Sequence, residues 1–177
     1  GSEMCIRDSH RLALTPTGED DVVHVGWEVP TSEDLKDMAD HLDRNKIPYE
    51  EATPDELEHR KVVSMIKLRE PGGAQTEIFH GPLVSWEKPF HPTTPITGFN
   101  TGALGMGHMI LFQKDLQESI KFYRDILGFK VSDYISVPVL GDAVFFHCNA
   151  RHHSIAIVEA NVPRHLQHIM LEAKSLD

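Results

Sequence analysis

The run Val22-Val-His-Val-Gly-Trp-Glu-Val29, an apolar strand with a histidine near its head, starts again at Gly107-His-Met-Ile-Leu-Phe112 and a third time at Leu166-Gln-His-Ile-Met-Leu171. Aligning the three starts places His24, His108 and His168 at one position, 84 and then 60 residues apart. A chain that repeats itself at this length is built from one supersecondary unit used more than once. In the first copy, Val22, Val23, Val25, Trp27 and Val29 read as a strand whose other face carries His24, Gly26 and Glu28. Thr31 or Ser32 then caps a helix with Leu35, Met38 and Leu42 at helical spacing, ending near Asn45. Residues 61–69 read as a strand, Pro71-Gly72-Gly73 as a turn and residues 75–79 as another strand. The second copy repeats the order. Asp115 caps a helix with Leu116, Ile120, Tyr123 and Leu127 on one stripe, Gly128 ends it, and strands follow near 129–135, 143–148 and 153–159, with a turn at Gly141-Asp142. Leu166 opens a third copy that has only its first strand.

The unit is therefore a βαβββ module, and the fold class is α+β. Four strands with one apolar face are buried when two modules pair into a curved, barrel-like sheet around a cavity. Neither copy here has a full partner, so incomplete barrels are expected and the chain reads as a fragment truncated at both ends. Residues 1–9 match no periodic template and read as a non-native leader. Residues 10–81 then form one module, and 82–103, with Pro82, Pro89, Pro92, Pro95, Gly98 and Gly102, form a linker. Residues 104–177 make up an incomplete second domain.

Charge and composition narrow the function classes. The net charge of −10 sits almost wholly before residue 104, and no Lys/Arg run offsets it, which argues against nucleic acid or an anionic membrane as partner. Glu33, Asp34, Asp37, Asp40 and Asp43, with Glu50, Glu51, Asp55, Glu56 and Glu58, read as the solvated outer face of the first helix. No window approaches the roughly 18 apolar residues of a spanning helix, and no secretory leader is visible, so a cytoplasmic location is expected. Cys5 and Cys148 are too few and too distant for a disulfide framework, and Cys148 reads as a buried, inert thiol.

Chemistry must then come from histidine. On their strands His108 shares a face with Ile110, and His168 with Leu166 and Met170. If these strands meet, two imidazoles point into one cavity and suit a divalent transition metal, with a carboxylate as the usual third ligand. No carboxylate in 104–177 recommends itself, and ordinary half-buried histidines fit the same periodicity. His24 at the equivalent position, with Glu77, allows either a vestigial site or a plain polar filling. His147, His152 and His153 form a second cluster. One histidine of the adjacent pair can face a metal-bound substrate as acid or base, and an exposed loop histidine is the competing reading.

Gly105-Met-Gly-His-Met-Ile-Leu-Phe112, Asp115 and Ser119-Ile-Lys-Phe-Tyr-Arg-Asp-Ile-Leu-Gly-Phe129 together resemble the opening module of the vicinal oxygen chelate (glyoxalase-like) superfamily. Phe145-Phe-His-Cys-Asn-Ala-Arg-His-His-Ser-Ile-Ala156, followed by His165-Leu-Gln-His-Ile-Met-Leu171, is similar to type I extradiol ring-cleaving dioxygenases, especially those acting on 2,3-dihydroxybiphenyl or 1,2-dihydroxynaphthalene. The resemblance runs from about residue 10 to 177. It implies that residues 10–81 are the second module of a non-catalytic N-terminal domain and 104–177 the start of the catalytic one.

By motif, the resemblance makes His108 and His168 the metal-ligating histidines, for Fe(II) or, with the same ligands, Mn(II). It makes His153 the acid/base and His152 its neighbour, and it places Ile110 and Phe145 in the substrate pocket. It also implies a catecholic substrate with O2, opened beside its hydroxyls, and a homo-oligomer at full length. The family's glutamate ligand falls beyond Asp177. Two other readings stay open: a glyoxalase-like divalent-metal isomerase, and an inactive metal-binding or structural half-barrel.

Overall fold

A computed structural model describes residues 3–4, 12–84, 104–138 and 141–172. These form two compact units. One comprises the described residues up to 19, with 23–68 and 75–84; the other comprises 20–22, 69–74 and the described residues from 104 on. Two short segments from the first 84 residues thus pack with the second unit. Residues 85–103 of the expected linker lie outside the described residues, and Gly81-Pro82 end a strand.

In the first unit a short antiparallel pair, β1 (Glu3–Met4) and β2 (Leu12–Ala13), precedes the module. The module runs β3 (His24–Val29), α1 (Ser32–Arg44), β4 (Tyr49–Glu51), α2 (Pro54–Arg60), β5 (Val62–Arg69) and β6 (Gln75–Pro82). Its sheet has the order β3-β6-β5-β4, with the first and last strands parallel neighbours. Helix α1 starts where its sequence dictates. Thr31 and Asp34 form a reciprocal capping box, and Leu35 and Leu42 are buried against the sheet.

Helix α2 corrects the reading of the acidic run. Glu50 and Glu51 lie on β4, and Asp55, Glu56 and Glu58 on α2, so only the acids from Glu33 to Asp43 belong to α1. No residue of α2 is buried, so it shows no apolar stripe. Its sequence signal is the second capping box, Thr53 with Glu56, and Pro54 in the first turn.

The second unit repeats the topology. It runs β7 (Gly107–Gln113), α3 (Leu116–Lys121), a π-helical turn (Phe122–Ile126), β8 (Lys130–Val137), β9 (Gly141–His147), β10 (Ile155–Glu159) and β11 (Leu166–Leu171). The sheet order is β11-β7-β10-β9-β8, and β7 is again parallel to the module's last strand, β10. The copies therefore match strand for strand, with β11 added at the edge beyond β7. The expected stripe Leu116, Ile120, Tyr123 and Leu127 is buried, and the π turn adds Phe122 and Ile126 to the core. Gly141-Asp142, expected as a turn, instead begins β9, where Gly141 pairs with Val137. Both sheets are open, and among the described residues no barrel closes.

Beneath the second sheet, Glu70, Gln113, Ser119 and Tyr123 are buried together. The Glu70 carboxylate accepts hydrogen bonds from the Tyr123 hydroxyl at 3.0 Å, from the Gln113 side-chain amide and from the Ala74 N–H. The Ser119 hydroxyl donates to the Gln113 side-chain oxygen. Burial raises the Glu70 carboxyl above its ordinary value despite these donors. No helix among the described residues is long and apolar enough to cross a membrane.

Candidate functional site

Strand parity puts His108 and Ile110 on one face of β7, and the register puts His168 directly opposite Ile110. The face of β11 is reached through an irregularity. Leu166 pairs with Leu111 but His168 pairs with Ile110, so two steps on β11 match one on β7 and Gln167 is a bulge residue. This corrects the simple alternation. Leu166 takes the face of Leu111, opposite to that of His168, while Met170 stays with His168 and pairs with His108.

The close contact of β7 and β11 depends on Gly107. A Cβ there would stand 1.8 Å from the Met170 carbonyl oxygen, so no other residue fits without separating the strands. As a result, Nε2 of His108 and Nε2 of His168 lie 3.2 Å apart. Two nitrogens bound side by side to one divalent metal, each at about 2.1 Å, are about 3 Å from each other, so the pair fits one cation.

The protonation pattern also fits. Nδ1 of His168 faces the Gln167 side-chain oxygen and donates to it, which leaves Nε2 with its lone pair. Burial, with His153, His168 and Arg151 nearby, lowers His108 to about 4, so it is neutral at pH 7. Binding a metal through Nε2 would place the His108 proton on its buried Nδ1, which has no hydrogen-bond partner among the described residues.

His153 precedes β10 and lies over this pair. Its ring is 4.1 Å from that of His108, centroid to centroid, and meets the Phe145 ring edge-on at 4.9 Å. Burial and then His152, Arg151 and His168 lower its pKa. His152 is exposed, with Nδ1 3.0 Å from Nδ1 of His153. Phe145 and Ile110 both pair with Ala156 of β10 from either side, so they share the face of His108. His108, Ile110, Phe145, His153 and His168 therefore gather on one sheet face, with His152 beside His153.

Two residues that sequence reasoning passed over fasten the loop between β9 and β10. Arg151 donates to the Leu104 carbonyl at 3.0 Å and pairs with Glu172 at 2.5 Å, which ties the loop to the chain before β7 and after β11. On the other side the Ser132 hydroxyl donates to the His152 carbonyl and accepts from Nδ1 of His147 at 2.5 Å. Neither has a sequence signal, because each partner is at least 15 residues away.

Cys148, expected to be buried, is exposed just past the end of β9. At the repeat-equivalent position of the first unit, His24 lies 3.8 Å from Glu77, but both Glu77 oxygens are taken by the Arg60 guanidinium at 2.9 Å. That carboxylate is therefore committed to an internal cation. Among the described residues no group of three or more His, Cys, Asp or Glu side chains could hold a metal ion.

Residues 105–177 match the family described as Glyoxalase/Bleomycin resistance protein/Dioxygenase superfamily. Over 171 residues the chain is 34% identical to a biphenyl-2,3-diol 1,2-dioxygenase of Pseudomonas sp. (strain KKS102), covering 94% of this chain and 58% of the relative. Over 173 residues it is 37% identical to a 1,2-dihydroxynaphthalene dioxygenase of Sphingobium xenophagum, covering 95% and 58%. A crystal structure of a catechol 2,3-dioxygenase superposes with a TM-score of 0.85 at 37% identity, covering 96% of this chain and 61% of that one. The chain thus spans a little under three fifths of the length of the curated relatives it matches.

Proposed function

We propose, from the match of residues 105–177 to the Glyoxalase/Bleomycin resistance protein/Dioxygenase superfamily and from the site's geometry, that the chain is part of an Fe(II)-dependent extradiol dioxygenase. Such an enzyme inserts both atoms of O2 into a catechol, here a bicyclic aromatic diol, and opens the ring beside its hydroxyls. The observation that carries this reading is the 3.2 Å approach of two imidazole nitrogens on a sheet face that also presents His153 and Phe145. Likeness to relatives that act on biphenyl-2,3-diol and 1,2-dihydroxynaphthalene supports the substrate class.

His108 and His168 would hold the metal, with its remaining protein donor outside the described residues. Divalent iron would supply Lewis acidity toward the diol and open positions for both reactants. Manganese accepts the same donors. Each side chain of this face then has a defined task. Ile110 and Phe145 give an apolar floor and wall that exclude water and orient the aromatic ring. His153, its pKa lowered by burial and then by His152, Arg151 and His168, would take a proton from a diol hydroxyl and return it to an oxygen retained in the ring-opened product. His152, behind it, faces the Nδ1 side of that ring and helps to set its orientation.

Anaerobic Fe(II) titration of the 177-residue chain tests the ligands. Binding that falls at least tenfold in His108→Ala and in His168→Ala is expected, and affinity unchanged in both variants refutes the assignment. In the longer protein that contains this chain, oxygen-dependent turnover of bicyclic catechols is expected. Anaerobic turnover of a hemithioacetal in its place would move the protein to the isomerase class.

A further inference from the structure

The strand that carries His168 is fastened at its head by a residue almost 150 positions upstream. Asp21 packs with the second unit, and its carboxylate is only 18% exposed. Oδ1 accepts the Leu166 N–H at 2.7 Å, and Oδ2 accepts the His165 N–H at 2.8 Å. The same Oδ2 faces Nδ1 of the His165 ring at 3.0 Å, and the other ring nitrogen, Nε2, lies 2.6 Å from the Gly72 carbonyl oxygen. With an acceptor at both nitrogens, the ring is held as a two-sided donor. The His165 carbonyl in turn accepts the Phe112 N–H of β7 at 2.7 Å. Residue 165 is therefore fixed through its N–H, its carbonyl and its ring.

This clamp ends one residue before the bulge that decides which way His168 points. With the bulge, His168 sits opposite Ile110 and shares the face of His108; without it, Gln167 would occupy that place and His168 would stand opposite Met109 on the other face. An edge strand has one neighbour to fix its register, and among the described residues β11 has only β7.

We propose that Asp21 and His165 are a positioning pair that locks the Gln167 bulge and so presents His168 to His108. The importance of this for catalysis rests on the metal reading above, but the positioning claim does not. It also gives the segments 20–22 and 69–74 a purpose within the second unit, since they supply the carboxylate and the carbonyl that the clamp needs.

The test compares the 177-residue chain with Asp21→Ala, Asp21→Asn and His165→Gln by NMR. In the parent, cross-strand contacts pair His168 with Ile110. Asp21→Ala is expected to lose that contact, to gain contacts between His168 and Met109 or none, and to speed amide exchange in β11 at least tenfold while β9 and β10 stay protected. Asp21→Asn, which keeps one acceptor oxygen, is expected to fall between. A merely stabilising role would lower the melting temperature and leave the pairing of folded molecules unchanged, and that result overturns the proposal. If Asp21→Ala does not fold, His165→Gln decides: partial loss of the His168–Ile110 contact supports the clamp, and full retention overturns it. Fe(II) titration of the same samples separates the two claims, because a parent chain that binds no iron refutes the metal reading and leaves the register result standing.

Discussion

Glu77 is 2% exposed, and its charge is tolerable only because Arg60 grips both oxygens while Gln75 donates to one of them at 2.8 Å. Removing one member of a buried ion pair costs about 3 to 5 kcal/mol, mostly because the other is left charged and unpaired. Arg60→Ala should therefore lower the stability of the first unit by about 3 kcal/mol, read as a shift of the urea midpoint without a change of slope. Glu77→Gln leaves a neutral amide in place and should cost about 1 kcal/mol. Equal losses in both variants would show that the charge is not what matters. The same pair marks the limit of sequence reading at this scale. His24 and Glu77 could be singled out because each sits on a strand whose parity is legible, as could His108 and His168. Arg60 sits 17 residues from Glu77 at the end of a helix without an apolar stripe, and no local pattern aims its guanidinium.

At the scale of elements, legibility follows burial. Helix α1 and the second module's helix carry buried stripes and caps, so their positions follow from periodicity, whereas α2 buries nothing and shows only its capping box. Strand β11 was legible as a strand but not in its register, because a bulge is defined by the partner it is counted against. Two glycines show what this means for stability. Gly128 has φ +74° with nothing within 4 Å of an added Cβ, so Gly128→Ala should cost only the left-handed backbone penalty, about 1 to 2 kcal/mol. Gly107→Ala drives a methyl into the Met170 carbonyl, and overpacking of that kind costs about 1 to 3 kcal/mol. The stability losses overlap, but their consequences differ. Only Gly107→Ala should release β11 from β7, seen as rapid amide exchange at Ile169 and Leu171 and as loss of Fe(II) binding. Protected β11 amides in that variant would mean that the strand accommodates the methyl by sliding.

For the molecule as a whole, the repeat made the architecture readable: two βαβββ copies have the same strand order because the same alternation recurs in sequence. The assignment of residues 20–22 and 69–74 to the second unit was not readable, since it depends on hydrogen bonds across more than 90 residues. Those bonds make stability depend on pH in a way that can be worked out by sign. Burial tends to raise the Asp21 carboxyl, but the N–H groups of His165, Leu166 and Val22, with the His165 ring, bring it down to about 2 from an ordinary 3.8. Its contribution is present above pH 3.8 and is lost as pH falls toward 2. Burial tends to lower His165, yet the Gly72 carbonyl and Asp21 win and raise it above 6.5. Its contribution is full below that value and fades as pH rises through the folded-state pKa. Glu70, raised by burial, has the same sense as His165 and begins to count against the fold above its ordinary 4.5. The second unit should therefore be most stable between about pH 4 and 4.5, falling on both sides, with the acid limb set by Asp21 and the neutral limb begun by Glu70 and steepened by His165 above 6.5. Denaturant midpoints from pH 3 to 9 check this. Asp21→Asn should flatten the acid limb and weaken the neutral one, because His165 loses the charge that raises it. A variant whose profile keeps both limbs would place the pH dependence elsewhere in the molecule and separate it from the strand that carries His168.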